Sequence, residues 1–204
     1  MTYRFEVTAR IAARRVIAIV RAGDPDVAVA AGDALVEAGI DVLEVALTTP
    51  DGLDAIRTLA RRHPDALVGA GTVLDAASAR LATLAGARFL VAPSLSLDVI
   101  AAGHRYGAAV LPGVRTPTEI VAALEAGADL LKLFPADDLG PDHLRALRAP
   151  LPQAPLVPTG GIDQDNARAW LDAGAVALGV GSWLTRDPAR AGERAAALLR
   201  VLAS

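Results

Sequence analysis

The stretch Ala126-Gly-Ala-Asp-Leu-Leu-Lys-Leu-Phe-Pro135 contains the pattern from which the chain is built. An Ala-Gly pair ends an amphipathic segment, and a short apolar run follows it directly. Glycine suits the left-handed residue that closes a helix. A small residue or tyrosine followed by glycine precedes four further apolar runs, at positions 38–39, 85–86, 106–107 and 173–174. The chain is therefore predicted to repeat a helix, a turn and a strand.

Eight apolar runs alternate with longer helical patterns, and a first helix over Thr2–Arg14 precedes them. The runs are near-continuous rather than alternating, which is typical of parallel strands covered by helices. They are Val16–Val20, Val42–Leu47, Leu67–Ala70, Phe89–Ala92, Ala109–Leu111, Leu130–Phe134, Leu156–Pro158 and Ala177–Val180.

Eight such units predict an α/β protein, a (β/α)8 TIM barrel with an extra N-terminal helix that forms one domain over residues 1–204. The alternative is an open, doubly wound sheet. That fold usually carries a glycine-rich turn after its first strand, whereas the turn here, Arg21-Ala-Gly-Asp24, holds one glycine.

Composition excludes several classes of function. The net charge is −3 with no basic stripe, so nucleic-acid binding has no electrostatic support. No apolar run approaches the roughly 20 residues of a membrane span. The chain has no cysteine, which excludes disulfides, a thiol nucleophile and thiolate metal ligands. The first six residues lack an apolar signal core, so a cytoplasmic location is expected.

Lys132 is the only lysine among 20 lysine and arginine residues, and leucines and Phe134 flank it. An amine among apolar side chains loses hydration, which disfavours its charged form. The neutral amine can attack a carbonyl and form a Schiff base. The alternative is a lysine whose side chain extends along a partly buried strand to reach water.

Glu44 lies inside the strand Val42–Leu47. Because side chains alternate along a strand, Glu44 shares a face with Val42 and Ala46, opposite the larger apolar residues. Glu44 is therefore predicted to point into the barrel, and the same alternation lets Lys132 point inward. A glutamate paired with an arginine at the strand end is the alternative. An interior glutamate can move protons during imine formation.

Polar and glycine residues follow other strands, at the barrel end where chemistry is expected. Arg21 can form a fork onto a carboxylate, or pair with an acid at the rim. Thr72 offers a hydroxyl, or is a turn residue. Backbone N–H groups in two loops can bind phosphate, unless these are ordinary loop glycines. The loop residues are Thr159, Gly160, Gly161, Gly181 and Ser182.

No spacing of histidines or carboxylates suggests a metal site, and no cofactor is predicted. His63, His104 and His143 lie in helix or loop positions away from the ends of the strands. Trp170 and Trp183 are predicted to pack between helices and strands.

Six motifs in order carry a resemblance over nearly the whole chain. The sequence closely resembles the bacterial 2-dehydro-3-deoxy-6-phosphogluconate (KDPG) and 4-hydroxy-2-oxoglutarate (KHG) aldolases. The motifs are Glu44-Val-Ala-Leu-Thr-Thr-Pro50, Gly69-Ala-Gly-Thr-Val73, Leu111-Pro-Gly-Val-Arg-Thr-Pro-Thr-Glu119, Leu131-Lys-Leu-Phe-Pro-Ala136, Pro158-Thr-Gly-Gly-Ile162 and Gly179-Val-Gly-Ser-Trp183.

The resemblance implies a metal-free class I aldolase, usually a homotrimer. Such an enzyme cleaves a phosphorylated 2-oxo sugar acid to pyruvate and glyceraldehyde 3-phosphate, or KHG to pyruvate and glyoxylate. Lys132 would form the Schiff base and Glu44 would be the general acid and base. Thr72 and Pro93 would surround the pyruvyl part, and Phe134 would flank the lysine. The two glycine-containing loops would lie toward the phosphate.

One position departs from the pattern. Several members of the family hold the substrate carboxylate with an arginine four residues after the glutamate, where this chain has Thr48. Other members have an arginine at the end of strand one, so the carboxylate is assigned to Arg21. Thr48 and Gly140-Pro141 also resemble the related 6-phosphogalactonate aldolases, which leaves the C4 epimer open.

Two further alternatives stay open at this level. One is a phosphate-binding barrel isomerase or epimerase that forms no imine. The other is a non-catalytic barrel that binds sugar phosphates. The presence of both Glu44 and Lys132 favours the aldolase.

Overall fold

The computed structural model describes residues 3–187 and 190–203, which form an α/β fold with parallel strands. Thr2, where the first helix was expected to begin, lies outside the described residues. The strands are β1 Val16–Val20, β2 Val42–Ala46, β3 Leu67–Gly71, β4 Phe89–Val91, β5 Ala109–Leu111, β6 Gly113–Val114, β7 Leu131–Leu133, β8 Leu156–Pro158 and β9 Leu178–Val180. The helices are α1 Arg4–Arg14, α2 Pro25–Glu37, α3 Gly52–Arg62, α4 Ala76–Ala85, α5 Leu97–Arg105, α6 Pro117–Glu125, α7 Gly140–Arg148, α8 Ala167–Asp172, α9 Ser182–Thr185 and α10 Ala191–Ala203.

Every strand pairing is parallel within the described residues. Six strands pair in the order β5-β4-β3-β2-β1-β9, and three pair in the order β6-β7-β8. An isolated parallel bridge between Thr159 and Gly179 lies between β8 and β9. The α/β class with parallel strands is thus confirmed.

The structure adds one strand and one short helix to the predicted elements. Pro112 separates β5 from β6, and proline has no backbone N–H with which to continue a ladder. Gly113 and Val114 then pair with Lys132 and Leu133 of β7. The short helix α9 lies between the eighth apolar run and the last long helix, where the sequence indicated only a loop.

The apolar side chains form two layers, one on each side of the strands. The outer layer contains Leu43, Val45, Leu131 and Leu133 and packs against the helices. The inner layer contains Val42 of β2 and Leu130, which directly precedes β7, and α1 adds Val7 and Ile11 to it. The predicted alternation is therefore confirmed for β2 and β7, which turns the neighbouring Glu44 and Lys132 toward the interior.

Ion pairs attach α1 to the amino-terminal ends of the strands. Arg10 and Arg14 contact Asp41 Oδ2 at 2.6 and 2.9 Å, and Arg4 contacts Asp129 at 3.2 Å. Burial alone would raise the pKa of Asp41, but the hydrogen bonds and charges of Arg10 and Arg14 outweigh it and lower that pKa. Paired charges therefore close this end of the sheet.

Side-chain caps begin the helices α2 and α6. Asp24 accepts a hydrogen bond from Val27 N at 2.9 Å at the start of α2. Thr116 and Glu119 form the reciprocal capping box of α6, with bonds of 3.3 and 2.8 Å. The glycine after α6, Gly127, has a φ of +83°, which is the left-handed conformation expected of a helix end.

Two histidines have specific partners away from the ends where β-strands finish. His63 Nε2 lies 2.6 Å from Asp33, and His104 Nε2 lies 3.0 Å from Asp129.

Among the residues that the structure describes, no helix has the length and apolar character needed to cross a membrane.

Candidate active site

A cavity of about 950 Å³ opens at the carboxyl-terminal ends of the strands. Side chains and loops from seven of the strands reach it. It brings together every residue that the sequence singled out as a site residue. These are Arg21, Glu44, Thr72, Pro93, Lys132, Phe134, Thr159, Gly160, Gly161, Gly181 and Ser182.

Glu44 is a nearly buried carboxyl group on the cavity wall, with 3% of its surface exposed. Burial raises its pKa, and the positive charges of Lys132 and Arg21 offset only part of that rise. Glu44 is thus prepared to hold a proton at a higher pH than an exposed glutamate. A carboxyl group with a raised pKa can donate a proton at a pH where an ordinary glutamate has already lost it, and can take the proton back afterwards.

Gly71 makes room for the Glu44 side chain. Gly71 pairs with Ala46 in the β2–β3 ladder, beyond Glu44 on the neighbouring strand. A Cβ atom built on Gly71 would overlap Oε1 of Glu44. Gly71 thus contributes the space that a buried carboxyl group needs.

Lys132 lies in the middle of β7 with 7% of its surface exposed. Its Nζ atom is 4.8 Å from the centre of the Phe134 ring. Lys132 is paired with Gly113 on one side and Val157 on the other, so its strand neighbours are uncharged. Within the described chain no carboxylate forms an ion pair with this amine. The amine is therefore held beside a ring and open to the cavity.

Thr72 follows β3 with a φ of +59°. The left-handed conformation is rare for a β-branched residue and costs about 1–3 kcal/mol. Strain of this kind persists where the surrounding structure imposes it, and it is frequent at functional sites. Thr72 lines the cavity.

The loop after β8 has a backbone that only glycine adopts readily. Gly160 and Gly161 have φ values of +109° and +66°, and a Cβ atom on Gly161 would clash with Asp137. Asn166 Nδ2 donates to the Gly161 carbonyl at 2.7 Å and holds the loop in place. Gly181 begins the neighbouring loop after β9. Together these loops form one side of the cavity.

Arg21 and Thr48, the two positions considered for binding the substrate carboxylate, differ in their relation to the cavity. Arg21 lines the cavity just after β1, is exposed, and forms no ion pair within residues 3–187 and 190–203. Thr48 is exposed and does not line the cavity. Arg21 is thus the residue that brings a guanidinium group to the strand ends next to Glu44.

Several cavity residues were not found by sequence reasoning. Trp183 was expected only to pack against strands, but it is half-buried and also lines the cavity. Arg194 Nη1 donates to the Trp183 carbonyl at 2.8 Å, and its guanidinium carbon lies 6.0 Å from the ring. Asp163 and Arg186 lie on the same wall. Only the adjacent Gly181-Ser182 pair in the sequence pointed to Trp183 as a cavity residue. No sequence pattern pointed to Arg194, which lies on α10.

Comparisons with known proteins identify the family to which the chain belongs. The family model for KDPG and KHG aldolases matches residues 7–198. The 2-dehydro-3-deoxy-6-phosphogalactonate aldolase of Escherichia coli is 38% identical over 189 residues, which cover 90% of this chain and 92% of that protein.

Two solved structures are similar over almost their full length. A native 2-dehydro-3-deoxy-6-phosphogalactonate (KDPGal) structure has a TM-score of 0.88 and 37% identity, and the match covers 92% of this chain and 94% of that one. KDPG aldolase from Legionella pneumophila, with pyruvate captured as a covalent carbinolamine, has a TM-score of 0.83 and 32% identity, with 95% of both chains covered. The chain therefore belongs to the KDPG and KHG aldolase family of carbon–carbon lyases.

Proposed function

We propose that this class I aldolase cleaves KDPG to pyruvate and glyceraldehyde 3-phosphate through a Schiff base on Lys132. The observation that carries the proposal is the placement of one buried amine and one buried carboxyl group on the wall of the same cavity. The two groups supply a nucleophile and a proton carrier, and the reaction needs both.

The first half of the reaction forms the imine. The neutral amine of Lys132 attacks C2 of the 2-oxo acid, and a carbinolamine results. Glu44 delivers protons to the former carbonyl oxygen, which leaves as water. The product is a protonated imine between Nζ and C2. The raised pKa of Glu44 favours this step, because the carboxyl group still carries a proton where an ordinary glutamate has lost it.

The second half breaks the carbon–carbon bond. The C4 hydroxyl group gives its proton to Glu44, directly or through a water, as the C3–C4 bond breaks. The bonding electrons move into the protonated imine and leave an enamine, and glyceraldehyde 3-phosphate departs. Protonation of C3 and hydrolysis of the imine then release pyruvate and regenerate the lysine.

The remaining cavity residues hold the substrate in this proposal. Arg21 and the Thr72 hydroxyl bind the carboxylate, while Pro93 and Phe134 contact the pyruvyl carbons. The backbone N–H groups of the two glycine-containing loops bind the phosphate. Arginine suits a carboxylate because its fork of N–H groups matches the two oxygens.

We extend the proposal to a closed (β/α)8 barrel whose amino-terminal end is covered by α1. Two observations support closure: β5 runs into β6 across Pro112, and the Thr159–Gly179 bridge lies between β8 and β9. The homotrimer and the cytoplasmic location are proposed from the family resemblance.

A second candidate substrate is the C4 epimer, 2-dehydro-3-deoxy-6-phosphogalactonate. The Escherichia coli relative named for that epimer is 38% identical to this chain. The exposed Thr48, outside the cavity, leaves Arg21 as the carboxylate ligand in either case. A coupled pyruvate assay on both epimers and on KHG ranks the three substrates by kcat/KM.

Borohydride reduction in the presence of pyruvate tests the imine. We expect the protein to gain the mass of a reduced pyruvyl adduct at Lys132 and to lose activity irreversibly. An enzyme that releases pyruvate from KDPG yet never acquires the adduct would contradict the Schiff base. If the protein neither releases pyruvate nor acquires the adduct, the result favours a barrel isomerase or a non-catalytic sugar-phosphate-binding protein.

A further inference from the structure

Two threonine side chains hold the backbone on either side of Arg21. Thr49 Oγ1 accepts a hydrogen bond from the Ala22 N–H at 3.2 Å. Thr185 Oγ1 donates to the Ile19 carbonyl at 3.2 Å. The segment that carries Arg21 is therefore bonded to α9 at Ile19 and to the turn between β2 and α3 at Ala22.

Beyond the last hydrogen-bonded pair of β1 and β2, the Thr49 hydroxyl group accepts the next backbone hydrogen bond from the β1 side. The last pair between β1 and β2 is Val20 with Val45, and β2 ends at Ala46. The N–H of the half-buried Ala22 lies beyond that pair. A backbone donor that is shielded from water needs an acceptor, and the Thr49 hydroxyl supplies it.

Thr49 is itself held rigidly. Only 2% of its surface is exposed. Its N–H donates to the Ala46 carbonyl at 2.9 Å, and its carbonyl accepts from Gly52 N at 3.0 Å. The turn after the strand of Glu44 thus fixes the hydroxyl group, which in turn fixes the loop of Arg21.

The position of the guanidinium group depends on the backbone that carries it. The Arg21 side chain is exposed and forms no ion pair within the described residues. A small rotation of the backbone at Ala22 would move the long arginine side chain away from the carboxylate it binds. A misplaced guanidinium group would lose the paired N–H contacts with the two carboxylate oxygens and so weaken substrate binding.

We propose that Thr49 is a positioning residue for the carboxylate of the 2-oxo acid and that it acts through the loop of Arg21. Thr185 supports the other side of the same loop. This inference rests on the proposed function, in which Arg21 binds that carboxylate.

Thr49→Val tests the inference because it removes the hydroxyl group and keeps the volume. We expect KM for KDPG to rise by about tenfold with kcat within about twofold, since the arginine contact is present in both ground and transition states. Thr49→Ser keeps the hydroxyl group and should restore KM. Thr48→Val is the matched control: the neighbouring threonine is exposed and outside the cavity, and its loss should leave both constants unchanged.

A double-mutant cycle separates this inference from the proposed function. Arg21→Ala should raise KM, and Thr49→Val added to Arg21→Ala should raise it no further. Additive effects, or failure of Thr49→Ser to restore KM in a folded protein, would overturn the role of Thr49.

Two further results have different meanings. If Arg21→Ala raises KM while Thr49→Val does not, Thr49 is no positioning residue and the aldolase proposal stands. If neither variant changes KM, both the Arg21 assignment and the Thr49 role are wrong, although pyruvate release by the unmodified enzyme would still support the aldolase. Thermal unfolding of each variant verifies that it is folded.

Discussion

Carboxyl groups at the two ends of the parallel strands have pKa values shifted in opposite directions. At the amino-terminal end, the carboxylate of Asp41 contacts two arginines and its pKa is lowered. At the carboxyl-terminal end, Glu44 faces a cavity and its pKa is raised. Paired charges stabilise the first end, whereas the second places a buried amine and a buried carboxyl group on the wall of one cavity. This division is typical of folds in which strand ends on one face carry the chemistry.

The largest effect is expected from Lys132→Arg. Arginine keeps a positive charge but cannot form the imine, so aldol cleavage should fall by about four orders of magnitude or more. The measurement is pyruvate release under saturating substrate, with thermal unfolding to show that the variant is folded. Retained cleavage would remove Lys132 from the chemistry.

Glu44→Gln should lower kcat by about 10²- to 10⁴-fold, the usual contribution of general acid–base catalysis. Asp41→Asn, a carboxylate-to-amide change at the opposite end, is the matched control and should leave kcat and KM within about twofold. Equal losses of activity in the two variants would contradict the functional difference between the ends.

The same glutamate variant should reveal the cost of burying a carboxylate. Because the folded-state pKa of Glu44 is raised above its ordinary value of 4.5, its stabilising contribution is complete below pH 4.5 and is lost as the pH rises through the folded-state pKa. Glutamine stays neutral, so the unfolding free energy of Glu44→Gln relative to the unmodified protein should increase between pH 4.5 and pH 8. Urea denaturation at several pH values measures it, and an opposite slope would be inconsistent with a raised pKa.

Gly71→Ala should lower kcat by on the order of 10²-fold, because its methyl group would displace the Glu44 carboxyl group. Gly192→Ala is the matched control, since a Cβ atom there has no neighbour within 4 Å. If Gly71→Ala kept full activity, the position of Glu44 would matter less than its burial indicates.

The smallest effect is expected from a substitution at the amino-terminal end of the strands. Asp41→Asn should reduce the free energy of unfolding by about 1–2 kcal/mol at pH 7, because the arginine contacts are partly exposed. The lowered pKa means that the Asp41 contribution is present above 3.8 and disappears as the pH falls through the folded-state pKa. The difference between the two proteins should therefore shrink in acid, as urea titrations can show.

Much of the candidate site was predictable from the chain because strand periodicity is a local property. Alternation placed Glu44 and Lys132 on inward faces, and the structure agrees. All eleven predicted site residues lie around one cavity, because each is on the inward face of a strand or in the segment that follows one. Their individual roles remain predictions until the variants are measured.

Other features had no local signal. The hydroxyl group of Thr49 and the N–H of Ala22 meet across 27 residues of sequence. Arg194 reaches Trp183 and the cavity from the last helix, although its neighbours show only the pattern of an amphipathic helix. The division of β5 from β6 depends on Pro112, which follows the fifth predicted run, Ala109–Leu111.

The sequence by itself determined the alternation of helices and strands, the parallel α/β class and the two inward-facing ionisable residues, because each depends on spacing along the chain. Only the tertiary structure decided what surrounds them. Gly71 leaves the space for Glu44, the charges of Lys132 and Arg21 partly offset its burial, and Thr49 fixes the loop of Arg21. These are contacts between distant segments, and they exist only once the strands lie side by side.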